Sequence, residues 1–198
     1  MLEKFRNFVQ NVEINSKNVQ KLNLMTSFLQ YGNVRLRAVE PADIDFIEKC
    51  ENATELWEVS GATAPLSRRI VEEYVEGYSA DIFRDGQLRL MIADVASGRT
   101  VGIIDLFDFA PFEGRAAVGI IIDAYCRRSG YASQALSALI AYARDYIGMH
   151  QLYAHVPEGN EASRALFKKA GFTETGQLKD WQKVGREYRT VTVFQKLL

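Results

Sequence analysis

Little in this 198-residue chain marks it as a member of a specialised class of proteins. It has two cysteines, Cys50 and Cys126, too few for a disulfide framework or a paired CxxC zinc site. Free thiols fit a reducing compartment, so a cytoplasmic location is expected. Two histidines do not suggest a His-rich metal centre, and no metal ligands are assigned. No stretch approaches the ~20 apolar residues of a membrane span. The 24 Lys+Arg nearly cancel the 25 Asp+Glu, leaving a net charge of −1. That balance argues against a strongly basic nucleic-acid binder, although one basic face is compatible with it. With 4 Pro, 14 Gly and 47% hydrophobic residues, the composition is that of an ordinary globular chain. The length suits one domain, large enough to bury a core without disulfides or metals.

The N-terminus has no continuous apolar h-region and no small-residue cleavage site, so it is not read as a secretory signal. Leu2, Phe5, Phe8, Val9 and Val12 fall on one helical face. That face suits a docking helix or an extension without function, or else a helix that binds a partner or membrane. Met25 is an alternative start.

Residues 34–39 alternate as a first strand. Pro41 then opens a helix, with Asp43 and Asp45 favoured at its positive end and Ile44 and Ile47 on its apolar side. The stretch 52–65, with Trp57, Gly61 and Pro65, reads as a bend. Ser67 caps a second helix whose stripe is Ile70, Tyr74 and Tyr78. Strands are expected at 88–93, 100–109 and 116–123, with turns at 94–98 and 111–114. The run Ile120-Ile121-Ile122 suggests a strand buried on both faces. A helix follows through Leu136, Leu139, Ile140, Ala143 and Ile147. Next come a strand at 151–156, a helix at 163–170 stopped by Gly171, and closing strands at 173–182 and 188–195. The order describes a mixed α/β sheet.

Chemistry concentrates where a strand turns into a helix. A helix N-terminus leaves several backbone N–H groups without partners and has partial positive charge, which makes it an anion site. Gly130 lets the backbone come close, Ala132 keeps the next turn small, and Arg127 and Arg128 add forked donors. Residues 127–133 therefore form a credible pyrophosphate cradle, although strand–helix turns often contain Gly and Arg for structural reasons alone. The Gly-Lys-Ser/Thr ending of a Walker A loop is absent, and so is the G-x-G-x-x-G of a dinucleotide fold. Some thirty residues on, Asn160 is placed to cap a helix that Gly171 ends.

Arg127-x-x-Gly130-x-Ala132 resembles the Arg/Gln-x-x-Gly-x-Gly/Ala motif of the GCN5-related N-acetyltransferases (GNAT). Asn160-x-x-Ser163-x-x-Leu166-Phe167-x-x-x-Gly171-Phe172 resembles the segment after that family's fifth strand. The likeness runs from Val34 to Leu198 and is greatest to the branch of ribosomal-protein and spermidine acetyltransferases. It implies a domain over residues 31–198, preceded by an extension over 1–30. The implied fold is α/β: a central, mostly antiparallel sheet with one splayed parallel strand pair, flanked by helices. The implied cosubstrate is acetyl-CoA. Its pantetheine arm would pair with backbone at Ile120, Ile121 and Ile122. Its pyrophosphate would rest on the amides of Arg127, Arg128, Ser129, Gly130, Tyr131 and Ala132. Asn160, Ser163 and Phe167 would lie beside the arm. The amine would attack the thioester directly.

This chain departs from the family where protons move. Many relatives have a Tyr, often assigned as the acid, where Phe167 stands, and some have a Glu where Ala117 stands. Positioning and backbone donors still supply much of the rate when the leaving group is a thiolate. Asp105 interrupts an apolar strand, a placement that is costly unless the carboxylate is paired or near water. It is the catalytic candidate, as acceptor of the amine proton; the alternative is a carboxylate paired with an Arg or facing solvent. Tyr153 and His155 share one parity and read first as structural residues. Glu51, Glu55, Trp57, Glu58 and Asp108 form a candidate acceptor wall, suited to a cationic amine such as a polyamine or a peptide N-terminus. The plainer reading is an acidic face in solvent. Two other functions compete: an acyl-CoA-binding or regulatory module without catalysis, and a phosphate-binding protein unrelated to CoA. Homodimers are common in the family it resembles, but the sequence does not set the oligomeric state.

Overall fold

Strands dominate the described part of the chain, residues 28–198 of the computed structural model. The helical face at Leu2–Val12 and Met25 lie outside those residues. The strands are β1 (Gln30–Tyr31), β2 (Val34–Arg37), β3 (Leu88–Asp94), β4 (Thr100–Ala110), β5 (Arg115–Ile122), β6 (Gln151–Pro157), β7 (Thr173–Val184) and β8 (Glu187–Leu197). They form one sheet in the order β1-β2-β3-β4-β5-β6-β8-β7. The β5–β6 pair is parallel and the other neighbours are antiparallel. The mixed sheet expected from the sequence is therefore present.

Helices cover the two faces unequally. A 3-10 turn at Pro41–Asp43 leads into α1 (Ile44–Glu51), then α2 (Thr54–Ser60) and α3 (Arg68–Gly77). Ile47 and Cys50 of α1 and Val71 and Val75 of α3 pack on Met91 and Ile103 on one face. A one-turn α4 (Ile82–Asp85) precedes β3. On the opposite face, α5 (Tyr131–Tyr142) and α6 (Glu161–Lys169) meet Ile104, Leu106, Leu152 and Phe194. The parity of β4 decides the division: Ile103 and Asp105 face α1, while Ile104 and Leu106 face α5.

The structure corrects three expectations. Residues 52–65 contain α2 as well as a bend, and Gly61 at φ +75° ends the helix. Ser67 does cap α3, accepting from the Ile70 amide, but the buried stripe is Val71 and Val75, and Ile70 is 49% exposed. Ile120, Ile121 and Ile122 are only half-buried. They stay paired with β4, but the parallel ladder to β6 stops at Ala117, so among the described residues one edge of that run has no strand against it.

Asp43 pins the start of α1. It is 2% exposed and accepts from Arg37 Nη1 (2.6 Å) and Nη2 (2.7 Å), from Thr100 Oγ1 (2.9 Å) and from the Glu40 amide (2.9 Å). Burial opposes its ionisation, but these hydrogen bonds prevail and hold the carboxyl below its ordinary range. A depressed carboxyl stabilises the fold above its unfolded pKa of ~3.9 and stops doing so as pH falls through the lower folded value. Asp43→Ala is expected to cost roughly 3 kcal/mol in urea unfolding at pH 7, because it strands Arg37. The gap to wild type should shrink below about pH 4.

Candidate active site

The cofactor side begins where two strands part. Arg115, Ala116 and Ala117 pair with Gln151, Leu152 and Tyr153, and there the β5–β6 ladder ends. β5 continues to Ile122 and β6 to Pro157. Backbone N–H and C=O groups need partners, so an uncovered strand edge suits an extended ligand that has amides of its own. The pantetheine arm of coenzyme A fits that description.

Below the opening lies the loop that Arg127 and Gly130 suggested. Asp123, 8% exposed, accepts from the Tyr125 amide (3.0 Å) and Lys49 Nζ (2.8 Å), which ties the root of the loop to α1. Arg127 Nε donates to the Ile122 carbonyl at 3.2 Å. Arg128 and Gly130 take positive φ values of 62° and 81°. Gly130 is the N-cap of α5 and no side chain among the described residues caps the helix, which leaves its first amides to an anion. Arg127, Arg128, Ser129 and Gly130 are exposed, and Tyr131 and Ala132 half-buried. The Tyr131 hydroxyl is already engaged with Asp94 at 3.1 Å. Asn160 Oδ1 accepts from the Ser163 amide (3.1 Å) as the cap of α6. Phe167 is 4% exposed, packed on Phe172 and Phe194 at 5.1 and 6.2 Å, so it is a core residue before anything else.

On the face towards α1, Asp105 stands opposite Gly119 of β5, two residues beyond the last parallel rung. A Cβ at Gly119 would meet the Phe107 ring at 3.4 Å and the Asp105 Cβ at 3.9 Å, so its absence keeps the root of the opening clear. Asp105 is held in a fork: Arg89 Nε donates to Oδ1 (3.0 Å) and Nη2 to Oδ2 (3.1 Å). Arg89 Nη1 donates to Glu51 Oε1 at 2.7 Å. Burial pushes the Asp105 carboxyl above its ordinary range, although the Arg89 charge pulls the other way. Thus the Arg partner that the plainer reading invoked is present, and it lies in the candidate site.

The residues expected to form an acceptor wall lie in different settings. Glu55 is exposed, and Trp57 is half-buried with Nε1 donating to the Glu51 carbonyl at 2.8 Å. Glu58 is paired with Arg189 (3.2 Å), and the Gln182 side-chain amide donates to its carbonyl. Glu58, Glu158, Asn160, Gln182 and Arg189 line a cavity of about 480 Å³ between α2, the β6–α6 loop and the β7–β8 hairpin. Asp108 is strained at φ +48° and accepts from the Tyr153 hydroxyl at 3.4 Å. Tyr153 and His155 line a second cavity of about 380 Å³ on the same face. Sequence reasoning missed Arg89, Gly119, Glu158 and Arg189. For Arg89 a signal existed: it is a charge inside an apolar strand, opposite in sign to Asp105 on the next strand.

Comparison with known proteins bears on the family and the fold. Residues 33–173 match the family model described as an acetyltransferase (GNAT) domain. An L-methionine sulfoximine/L-methionine sulfone acetyltransferase from Pseudomonas aeruginosa is 36% identical over 101 residues, which is 49% of this chain and 58% of that protein. The match thus spans little more than half of that relative's length. The spermidine N(1)-acetyltransferase of Escherichia coli K12 is 23% identical over 79% of this chain and 82% of its own. Spermidine N-acetyltransferase from Vibrio cholerae, solved with CoA and spermine, superposes with a TM-score of 0.75 at 23% identity, over 83% of this chain and 95% of that one.

Coenzyme A is expected to raise the melting temperature, since ligand at 100 times Kd adds ~2.7 kcal/mol to the folded state. Gly130→Val, a β-branched residue forced into the left-handed backbone that Gly130 adopts at φ +81°, is expected to remove most of that shift. An undiminished shift in Gly130→Val contradicts the placement.

Proposed function

The chain belongs to the GNAT acetyltransferase family, and from that premise we propose that it transfers the acetyl group of acetyl-CoA to a primary amine of a cationic acceptor. The acceptor is a polyamine or the N-terminus of a peptide or protein, and the catalytic unit is residues 31–198. One observation carries this reading: the β5 edge left open beyond Ala117, running down to the uncapped N-terminus of α5. An amide-bearing arm ending in a pyrophosphate is complementary to both parts.

The chemistry needs few protein groups. The neutral amine attacks the thioester carbonyl; the C–N bond forms, the C–S bond breaks, and the electron pair leaves on sulfur. Asp105, directly or through a water, takes the amine proton. Phe167 has no proton to give, so the thiolate leaves as such and is protonated by water. With a thiol pKa of ~8.5 that is an acceptable leaving group. Acceptor choice follows from charge. Glu51, Asp105, Glu58 and Glu158 outnumber Arg89 and Arg189 around the acceptor side, while Arg127 and Arg128 make the cofactor loop basic. Spermidine, the acceptor named for the Escherichia coli relative, suits such an excess of carboxylate.

Thiol release from acetyl-CoA, measured across polyamines, aminoglycosides and short peptides, tests this function. Turnover with a cationic amine is expected, and Asp105→Asn should lower kcat/KM by about 10²–10³. Tight CoA binding without turnover on any amine would favour the non-catalytic acyl-CoA module, for which the absence of proton donors at Phe167 and Ala117 speaks. No CoA binding at all would favour a phosphate-binding protein of another kind.

A further inference from the structure

Arg89 has more fixed contacts than a charge filling space requires. Its guanidinium gives two donors to Asp105 and a third to Glu51, and lies 5.6 Å from the centre of the Tyr74 ring. Its backbone is fixed as well. β2 ends at Arg37, opposite Met91, so among the described residues β3 has no strand on that side at Arg89. The Tyr78 hydroxyl fills the vacancy, donating to the Arg89 carbonyl (2.9 Å) and accepting from its amide (2.5 Å). A planar fork held at both ends imposes orientation as well as charge on a carboxylate, which a lysine cannot do.

We propose that Arg89 is the positioning residue of the reaction centre. It fixes the orientation of Asp105 and favours its charged form, and Glu51 moderates that hold by sharing the same guanidinium. The inference rests on the reading of Asp105 as the proton acceptor, and it assigns a role to two residues outside that step. The groups facing Asp105 are Arg89 from β3, Glu51 from α1, and Tyr74 and Tyr78 from α3 and its C-cap; β5 offers only Gly119. Glu51 is the negative member of this set. The arrangement therefore predicts opposite effects from its two partners. Loss of the Arg89 charge makes Asp105 harder to ionise. Loss of the Glu51 charge makes it easier and leaves the fork to Asp105 alone.

Carboxyl titration followed by ¹³C NMR on Asp-labelled full-length protein tests this without any acceptor, with the Asp105 signal assigned by its loss in Asp105→Asn. Arg89→Met is expected to raise the midpoint by about one pH unit or more, and Glu51→Gln to lower it. Arg89→Lys should stay near wild type, since the charge remains while the fork is lost. If an amine substrate is in hand, the acid limb of kcat/KM should move the same way: up for Arg89→Met and down for Glu51→Gln. Arg89→Lys should lower kcat without moving the limb. If Arg89→Met does not fold, the sign of the Glu51→Gln shift decides. An Asp105 midpoint unmoved by Glu51→Gln, or moved upward, overturns the proposal. If the titrations move as expected but Asp105→Asn keeps full kcat/KM, the proton-acceptor reading has failed while the electrostatic arrangement stands.

Discussion

Parallel pairing between β5 and β6 lasts three residues and stops. Most of the geometry of the proposed site depends on that interruption. Up to Ala117 and Tyr153 the sheet is continuous. Beyond them β5 stays bound to β4 and β6 to β8, so each strand is held on its outer side and open on its inner one. Unpaired backbone is normally a liability in a sheet. Here the opening leads down to the N-terminus of α5, where the Gly130 conformation leaves amides free and Arg127 and Arg128 supply positive charge. An extended amide arm with a charged end can satisfy both regions at once, which is the shape and chemistry of acetyl-CoA.

Next to the same interruption lies the carboxylate proposed to take the amine proton. Asp105 lies one strand away from the root of the opening, with only Gly119 between, on the face that α1 and α3 cover. Because α1 provides both Lys49 to Asp123 and Glu51 to Arg89, one helix braces both the loop before α5 and the Arg89–Asp105 pair. The near-zero net charge therefore conceals a separation. Arg127 and Arg128 lie on the loop before α5, and Glu51, Asp105 and Glu58, partly offset by Arg89 and Arg189, lie in the proposed acceptor site.

The sheet was legible because strand periodicity and turn residues are local signals. The Arg127–Ala132 and Asn160–Phe172 segments were legible because backbone conformation at a helix start demands particular residue types. Burial of Ile120–Ile122 was misjudged for a physical reason: a β-branched run reads the same whether a strand pairs with both of its edges or with one. The α3 stripe was shifted by one residue, since Ile70 and Val71 are both apolar and only tertiary packing chooses between them. Arg89 was missed because its partners, Asp105 and Glu51, come from two other elements. No spacing rule joins 51, 89 and 105; strand register does, and the hairpin of opposite charges on β3 and β4 was the one available hint.

Amide hydrogen exchange with and without coenzyme A reads the open β5 edge and the start of α5 themselves. The account predicts slowed exchange at residues 118–122 and 127–133, with the paired rungs at 115–117 unchanged. Protection confined to other segments, or unchanged exchange under saturating coenzyme A, would contradict it.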